Sequence, residues 1–234
     1  EANTLIKNET SQSLSGDIIF FGDITKWQKF ANSLRLRILM HVSTQMDVSS
    51  MFEQIVNNEP IMESNDDNAV LIYTGSFPNE YPLVPLKQGD FDAVVLGTHA
   101  ITELEASSDP RLGVYARPTN IESILADPET VPDYDGAING AETDACDKAG
   151  SRLGYIYYDY PGHPSIDEKA DGILMLYSEV EFLLAEASHK GWIGNDTETH
   201  YQQGIEASMQ YYNVFVFGIT KFDSWICFKW KKNC

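Results

Sequence analysis

Hydrophobic residues recur every three or four positions between Gly22 and Met46, which is the spacing of one face of an α-helix. Asp23 or Thr25 stands where a helix N-cap is expected. The pattern predicts an amphipathic helix over residues 24–46 whose apolar stripe is buried against another element. The stripe consists of Trp27, Phe30, Ala31, Leu34, Ile38 and Val42.

A second periodic segment runs from Gly172 to Lys190, and Gly191 is a natural helix stop. It predicts a helix over residues 173–190, with Ile173, Leu176, Tyr177, Val180, Leu183, Leu184 and Ala187 on one face. After a short turn, Asn195 or Asp196 can cap a third helix over residues 197–212. We expect the last two helices to form an antiparallel hairpin, with the first helix packed near them.

The fold class predicted from these segments is mainly α. A hairpin in which small residues let two helices approach closely has the form of a tetratricopeptide-like unit, although the consensus repeat is degraded. Residues 65–171 differ in character, because they are rich in Gly, Pro, Asn, Asp and Tyr and lack helical periodicity outside Gly97–Ser107. We therefore expect tetratricopeptide-like helical hairpins with long ordered loops and a few short strands.

Composition narrows the possible partners. The 234 residues include 35 acidic and 16 basic side chains, and a net charge of -19 repels a phosphate backbone. Nucleic acid is therefore not expected as a partner. No run of residues approaches the roughly 18 to 20 apolar positions of a membrane-spanning helix, and the first residues lack the features of a secretion signal. Cys146, Cys227 and Cys234 do not form a disulfide framework or a zinc-site pattern.

The last twenty residues are aromatic and basic where the rest of the chain is acidic. Lys229, Lys231 and Lys232 all fall within the last six positions. This segment reads either as a tail that binds a membrane surface or partner, or as the product of a disturbed reading frame, which we favour. We therefore expect one domain over residues 1–214 and an atypical tail over residues 215–234.

Two long motifs carry a family resemblance. The segment DIIFFGDITKWQKFANSLRLRILMHVS resembles the SusD-like (RagB) signature, and SEVEFLLAEASHKGWIGNDTETHYQQGIEASMQYYNV resembles the helical hairpin of the same family. Between them, DPRL at 109–112 followed by Tyr115 and Ala116, and GAING at 136–140, fall where the family has similar residues. His41 stands where the family often has arginine.

The resemblance implies a cell-surface lipoprotein of Bacteroidetes that binds oligosaccharide or polysaccharide, without cleaving it, and delivers it to a TonB-dependent, SusC-like transporter. It also implies that this chain is part of a longer protein. The only membrane attachment that it implies is a lipid anchor on an N-terminal cysteine that this chain does not contain. The location implied is the extracellular face of the outer membrane.

Three clusters in the loop region suit a sugar, because aromatic rings stack on its C–H faces while amide and carboxylate groups bond its hydroxyls. The family resemblance transfers no individual sugar-binding residue, so these positions are predicted from chemistry alone. They are Tyr73, Phe77, Asn79 and Tyr81; Tyr134, Asp135 and Asn139; and Tyr155 and Tyr157. Trp27 is expected in the core and Trp192 is expected to be structural.

Rival interpretations are a tetratricopeptide-like scaffold for peptides and, less favoured, a glycoside hydrolase. No catalytic motif or metal-ligand spacing occurs among the five histidines, so no catalytic residue, metal or cofactor is predicted. Oxygen ligands that could suit calcium cluster at residues 65–68 and at Asp133, Asp135 and Asn139. Neither cluster has the spacing of an EF-hand, and both are interpreted as solvated turns.

Overall fold

The computed structural model describes residues 14–73, 78–79, 94–140, 150–154, 171–194 and 196–214. These residues form seven α-helices and two short strands, and the mainly helical fold class is confirmed. The elements are α1 (Ile24–Val42), α2 (Ser49–Asn58), β1 (Ala69–Leu71), α3 (Thr98–Ala106), α4 (Leu112–Tyr115), α5 (Ile121–Ala126), β2 (Gly172–Met175), α6 (Tyr177–His189) and α7 (Thr197–Tyr211). A 3-10 turn at Asn65–Asp67 precedes β1.

Helix α1 begins where the sequence predicts and ends one turn early. Asp23 is the N-cap, and its carboxylate accepts hydrogen bonds from the Thr25 and Lys26 backbone N–H groups. The helix ends at Val42, so the prediction that it reaches residue 46 is wrong. Ser43 closes the last turn, because both its backbone N–H and its hydroxyl donate to the carbonyl of Met40.

The buried face of α1 is rotated from the predicted stripe. Leu36 and Met40 are buried, whereas Ile38 is 53% exposed, so its predicted burial is wrong. The buried face also includes polar Asn32 and Ser33. Asn32 Nδ2 donates to the Pro60 carbonyl over 2.9 Å, and Ser33 Oγ accepts the Met62 N–H over 3.0 Å. These bonds satisfy the backbone of the segment after α2, and they orient α1.

The second predicted helix starts too early. Residues Gly172–Met175 are strand β2, which pairs antiparallel with β1 and sets Ile173 opposite Val70. Helix α6 begins only at Tyr177, whose N–H donates to Asn68 Oδ1 over 2.6 Å. The short apolar run ILMLY fits either helix or strand, and pairing with the distant β1 decides for strand.

Helices α6 and α7 form the predicted antiparallel hairpin. Gly191 takes a φ of 72° after α6, and the Asp196 carboxylate caps α7 by accepting the Glu198 N–H. Thr197 donates to Ser188 near the turn, and the Phe182 ring lies against Gly204 farther along. The contacts confirm that the two helices run antiparallel and that α7 spans the predicted residues to within one position.

One hydrophobic core joins α1, α2, α6 and the sheet. Phe52 and Ile55 of α2, a helix that the sequence reading did not identify, are buried in it. Trp27 packs against this core through Phe20, and Trp192 packs against Phe52 with ring centroids 5.6 Å apart. Both tryptophans therefore have the structural role expected of them. The core consists of Phe20, Leu36, Met40, Phe52, Ile55, Met62, Ala69, Met175, Val180, Leu184, Ala187 and Ile193.

The turn at residues 63–68 is structural, so its interpretation as a solvated turn is wrong. The Asp67 side chain is only 7% exposed; its carboxylate accepts from Lys29 Nζ over 2.9 Å and from the Glu63 N–H over 2.9 Å. Asn65 Nδ2 reaches the Ala207 carbonyl on α7. The turn therefore connects α1 to the hairpin, and the Asp67 carboxylate oxygen accepts hydrogen bonds within the protein.

The loop that precedes α1 is organised by one carboxylate. Asp17 accepts hydrogen bonds from the backbone N–H groups of Ile19, Phe20 and Gly22, and from Trp27 Nε1 over 2.8 Å. These bonds place Phe20 against Trp27 at a centroid distance of 5.1 Å. The predicted tail, residues 215–234, lies outside the described residues, so the proposed division of the chain stays a prediction.

Candidate functional site

The region predicted as long loops contains a second folded unit. Helix α3 forms at Thr98–Ala106, within the predicted 97–107 segment, and α4 and α5 follow it. We call residues 94–140 and 150–154 the loop module. Its small core consists of Ile101, Leu112 and Ala116, with Leu96, Leu104 and Tyr134 packed around them. No residue of this core belongs to the main core within the described residues.

Extended segments hold the loop module together. The Thr98 N–H donates to the Ala137 carbonyl over 2.9 Å, and the Ala137 N–H donates to the Leu96 carbonyl over 2.9 Å. Leu96 N–H in turn donates to the Ser151 carbonyl over 3.0 Å. Bridges between Val95 and Arg152 and between Ala116 and Leu153 continue this arrangement. The result is a frame of paired backbone that carries residues 131–140 at its surface.

Glycine permits the closest approach in this frame. A Cβ at Gly136 would lie 2.5 Å from Thr98 N, and a Cβ at Gly154 would lie 2.7 Å from the carbonyl carbon of Val114. Both neighbours are backbone atoms that cannot move without breaking hydrogen bonds. A side chain at either position would therefore displace the segments that it joins.

The structure places the predicted cluster Tyr134, Asp135 and Asn139 on one segment of the module. Asp135 and Asn139 are exposed. The Asp135 backbone pairs with Ser151, and its Oδ1 accepts the Gly136 N–H over 2.8 Å. Asn139 Oδ1 lies over Gly97, 2.5 Å from where a Cβ would stand. Polar groups suited to sugar hydroxyls therefore meet solvent here.

Tyr134 is half-buried and packs against the core of the loop module. Its hydroxyl lies 3.4 Å from the position of a Cβ at Gly113. Part of the ring is thus used to anchor the segment that carries Asp135 and Asn139. The rest of the ring is exposed.

The other predicted residues are placed only in part. Tyr73 is half-buried after β1, with its hydroxyl 3.2 Å from the position of a Cβ at Gly172, and Asn79 is exposed. Four of the predicted residues lie outside the described residues: Phe77, Tyr81, Tyr155 and Tyr157. All nine proposed site positions stay predictions.

A charged and aromatic junction joins the loop module to the hairpin. The Asp109 carboxylate accepts hydrogen bonds from the Arg111 guanidinium, and Arg111 Nη1 donates to Ser208 Oγ of α7 over 2.8 Å. Tyr115 and Tyr212 meet edge to face with centroids 5.1 Å apart. The sequence reading did not select these residues as a group. The signal available was that DPRL with Tyr115, and the YY of the hairpin motif, belong to separate segments of the same family pattern.

Burial and hydrogen bonding shift the pKa values at this junction. Burial acts to raise the pKa of the Asp109 carboxyl, but hydrogen bonds and the charge of Arg111 outweigh it and leave that pKa lowered. The pKa of Arg111 is raised, chiefly by its hydrogen bonds to Asp109. Burial is the main cause that raises the pKa of both Tyr115 and Tyr212. At neutral pH the junction is therefore an ion pair surrounded by neutral phenols.

A histidine and a carboxylate also form a pair between the two hairpin helices. His200 Nδ1 lies 2.6 Å from Glu181 Oε2, and the two side chains are 14% and 6% exposed. Tyr177 hydrogen bonds to the same carboxylate, and burial is the main cause that raises the pKa of its phenol. Both side chains are largely buried between the two helices, and this geometry suits a structural role.

Two further properties concern the described residues alone. None of the helices in the described ranges is long and apolar enough to cross a membrane. Across the same ranges, no three His, Cys, Asp or Glu side chains converge in the manner of a metal site.

The fold and the loop module together define a class of protein. A helical hairpin packed on further helices, with an inserted module that presents polar and aromatic groups, is a tetratricopeptide-like architecture. The model of the SusD-like family, described as starch-binding and associating with the outer membrane, matches residues 1–232. The chain belongs to this family, and the resemblance seen in the sequence is confirmed.

Solved structures show the same fold. A SusD homologue from Bacteroides fragilis is 28% identical, with a TM-score of 0.71 over 90% of this chain and 46% of the homologue. A Bacteroides vulgatus outer membrane protein, for which a role in nutrient binding has been suggested, is 31% identical, with a TM-score of 0.73 over 90% of this chain and 47% of its own. A chitin-binding protein shares the fold at 23% identity and a TM-score of 0.70, over 97% of this chain and 51% of its own. The chain thus spans about half the length of these relatives. No curated protein sequence matches it.

Proposed function

We propose that this protein captures an oligosaccharide or polysaccharide at the extracellular face of the outer membrane and delivers it to a TonB-dependent, SusC-like transporter, without cleaving it. The observation that carries the proposal is the match of residues 1–232 to a family described as starch-binding and associating with the outer membrane. The chitin-binding relative supports the broader class, since it places a carbohydrate ligand on the same fold. Attachment to the membrane is through a lipid anchor, as the family resemblance implies.

The loop module supplies groups of the kind that hold a sugar. The exposed Asp135 carboxylate and Asn139 amide can bond hydroxyl groups, and the exposed part of the Tyr134 ring offers an apolar face. The proposed set also includes further aromatic and amide residues, which suit a sugar for the same chemical reasons: Tyr73, Phe77, Asn79, Tyr81, Tyr155 and Tyr157. Because the module has its own core, Tyr134, Asp135 and Asn139 sit on a rigid support.

The charge of the protein favours a neutral or weakly charged glycan. A net charge of -19 repels a polyanionic polymer unless basic side chains collect to offset it. Several basic side chains of the described residues are already paired with carboxylates: Lys29 with Asp67, Arg37 with Glu179 and Arg111 with Asp109. Stacking and hydroxyl hydrogen bonds then dominate, and salt does not screen them as it screens ion pairs.

Two of the titratable groups in the described residues are already engaged within the fold. A glycosidase needs two carboxyl groups about 5 to 10 Å apart across an open cleft. The histidine–carboxylate pair of His200 and Glu181 is enclosed between helices. Asp135 directs Oδ1 to its own neighbouring N–H.

Calorimetry on the 234-residue chain tests the proposal. Starch and chitin oligosaccharides are compared with uronic-acid and sulfated polysaccharides, each at low and high salt. We expect a neutral glycan to bind with little change on adding salt. Binding only to an acidic polymer, abolished by salt, would overturn the ligand class. Release of reducing ends from any of these polymers would overturn the claim that the protein is a binder.

Two substitutions test the proposed residues. Asp135→Ala and Asn139→Ala should each weaken glycan binding about tenfold, because each removes a hydrogen-bonding group of roughly 1 to 1.5 kcal/mol. Glu122→Ala is the matched control, since Glu122 is an exposed carboxylate on α5 of the same module. Wild-type affinity in both site variants, with Glu122→Ala also unchanged, would remove this segment from the site.

A further inference from the structure

The loop module and the hairpin meet through named polar and aromatic groups. On the module side, Arg111 lies at the start of α4 and Tyr115 at its end. On the hairpin side, Ser208 and Tyr212 lie at the C-terminal end of α7. Arg111 Nη1 donates to Ser208 Oγ over 2.8 Å, and the hydroxyls of Tyr115 and Tyr212 hydrogen bond to each other. We call these four residues the latch.

Arg111 is oriented from its own side before it reaches the hairpin. Its Nε and Nη2 donate to the two carboxylate oxygens of Asp109, and its backbone N–H donates to the same group. The Arg111 and Asp109 side chains are only 18% and 10% exposed. A forked guanidinium held in this way presents Nη1 to Ser208 in one direction, which a lysine ammonium cannot do.

The contact continues from the latch toward the sheet. Tyr212 packs edge to face on Tyr211 at 4.9 Å, and Tyr211 Oη donates to Asp171 Oδ2 over 2.8 Å. Asp171 directly precedes β2. Two stretches of the chain that are far apart in sequence therefore converge on the end of α7.

The latch joins two units with separate hydrophobic cores. Ile101, Leu112 and Ala116 form the core of the module, and none of them belongs to the main core built on Leu36 and Phe52. Units of one chain that share little apolar surface move relative to each other unless specific contacts hold them. Within the described residues the two clusters do not merge, and the angle between module and hairpin is set by these oriented polar and aromatic contacts.

We propose that the latch of Arg111, Tyr115, Ser208 and Tyr212 is a positioning device that fixes the loop module on the hairpin, so that the glycan-binding segment at Asp135 and Asn139 has one orientation relative to the helical scaffold. The orientation itself follows from the contacts above, whereas its consequence for glycan affinity rests on the proposed function. Loss of the latch leaves both units folded and lets the module sample several orientations. If only a fraction of these is competent to bind, the apparent affinity falls by that fraction.

Distance measurements between spin labels test the orientation directly. Labels are placed on Glu122→Cys of α5 and Gln203→Cys of α7, two exposed positions, after Cys146, Cys227 and Cys234 are replaced by serine. The full 234-residue chain should give one narrow distance distribution. Arg111→Gln should broaden it about twofold, with Arg111→Lys between the two, because the ammonium keeps the charge and loses the fork. Arg35→Gln, an exposed arginine on α1, is the matched control and should leave the distribution narrow.

Helix content by circular dichroism shows whether each variant is folded. If Arg111→Gln does not fold, Ser208→Ala and Tyr212→Phe decide the question, since each removes a single hydrogen-bonding group and keeps the packing. A distribution as narrow as wild type in folded Arg111→Gln, or in both milder variants, would overturn the proposal.

Glycan binding separates this inference from the proposed function. With maltoheptaose and chitohexaose as probes, the variants that broaden the distance distribution should bind about tenfold more weakly. Broadened distances with unchanged affinity would overturn the link between orientation and binding. A wild-type protein that binds neither these probes nor the polymers above would refute the proposed function, while the distance measurements would still decide whether the latch fixes the module.

Discussion

Replacing Asp17 with asparagine tests how the loop before α1 is held. Asp17 Oδ1 accepts from the Ile19 and Phe20 N–H groups over 3.0 and 3.3 Å. Its Oδ2 accepts from the Gly22 N–H over 2.9 Å and from Trp27 Nε1 over 2.8 Å. Asparagine has one acceptor oxygen, so its amide NH2 must face two of these four donors. Asp17→Asn therefore removes two hydrogen bonds while keeping the size of the side chain.

The expected loss of stability is about 2 kcal/mol, because a hydrogen bond to a charged acceptor contributes roughly 1.5 to 3 kcal/mol and the half-exposed side chain lets water replace part of it. If the amide oxygen of asparagine takes the position of Oδ1, the Trp27 indole and the Gly22 N–H are the two donors that lose their acceptor. Trp27 packs on Phe20 and Phe30, so the aromatic contacts should loosen with it.

The pH dependence gives the same prediction a second check. Burial acts to raise the pKa of the Asp17 carboxyl, but its hydrogen bonds outweigh burial and leave that pKa lowered. In the unfolded chain an aspartate titrates near about 3.9. The stabilisation is therefore complete above that pH and is lost as the pH falls through the lower pKa of the folded state. The difference in the free energy of unfolding between wild type and Asp17→Asn should therefore shrink as the pH falls below about 4.

Urea unfolding followed by tryptophan fluorescence and circular dichroism measures this gap at a series of pH values. Asp23→Asn is the matched control, because asparagine is as good an N-cap as aspartate and α1 should keep its stability. Equal unfolding midpoints for wild type and Asp17→Asn at pH 7 would refute the hydrogen-bond argument. A gap that persists unchanged to pH 3 would refute the electrostatic part.

Two further predictions address the rotated helix and the module frame. Leu36→Ala should cost about 2 to 5 kcal/mol, as buried leucines do, whereas Ile38→Ala should cost less than about 1 kcal/mol because Ile38 is largely exposed; equal losses in urea unfolding would contradict the observed face of α1. Gly136→Ala should weaken the module by roughly 1 to 3 kcal/mol, since the new methyl overlaps the backbone of Thr98. Hydrogen exchange should then rise at residues 95–98 and 134–137 and stay unchanged in α6 and α7, and a uniform rise would count against a separate module.

Local patterns were sufficient to predict the helical scaffold. Asp23 and Asp196 cap the helices that their positions suggested, and Gly191 ends α6. Such signals act within a few residues, so the sequence alone carries them. The antiparallel hairpin followed from a short turn between two amphipathic segments. The family motifs then placed these helices in one fold.

The errors arose where distant segments decide the outcome. The burial of Asn32 and Ser33 in place of Ile38 depends on backbone groups near Pro60 and Met62, whose positions no helical pattern reveals. Strand β2 forms because β1 lies about one hundred residues earlier in the chain. In both cases tertiary hydrogen bonds override local periodicity. Helix α2 was missed although its apolar residues, Phe52 and Ile55 among them, have helical spacing.

The candidate site was the least predictable part. Composition identified Tyr134, Asp135 and Asn139 as groups suited to a sugar, and the structure places them on one surface segment. How much of the Tyr134 ring is buried depends on its packing against the module core, which includes Ile101 and Leu112. The latch at Arg111 was not foreseen, since its partners on α7 lie nearly one hundred residues away.

The ion pair between Arg37 of α1 and Glu179 of α6 joins residues 142 positions apart, and the entire loop region lies inside the ring that it closes. The entropy lost on closing such a ring grows only with the logarithm of its length, so doubling the enclosed segment adds about 0.6 kcal/mol. Evolution can therefore lengthen, shorten or exchange the enclosed chain at almost no thermodynamic penalty to the helices. The cost falls on kinetics instead, because a nucleus that needs these distant partners forms slowly. The enclosed segment can thus be rebuilt while the helical scaffold is kept unchanged.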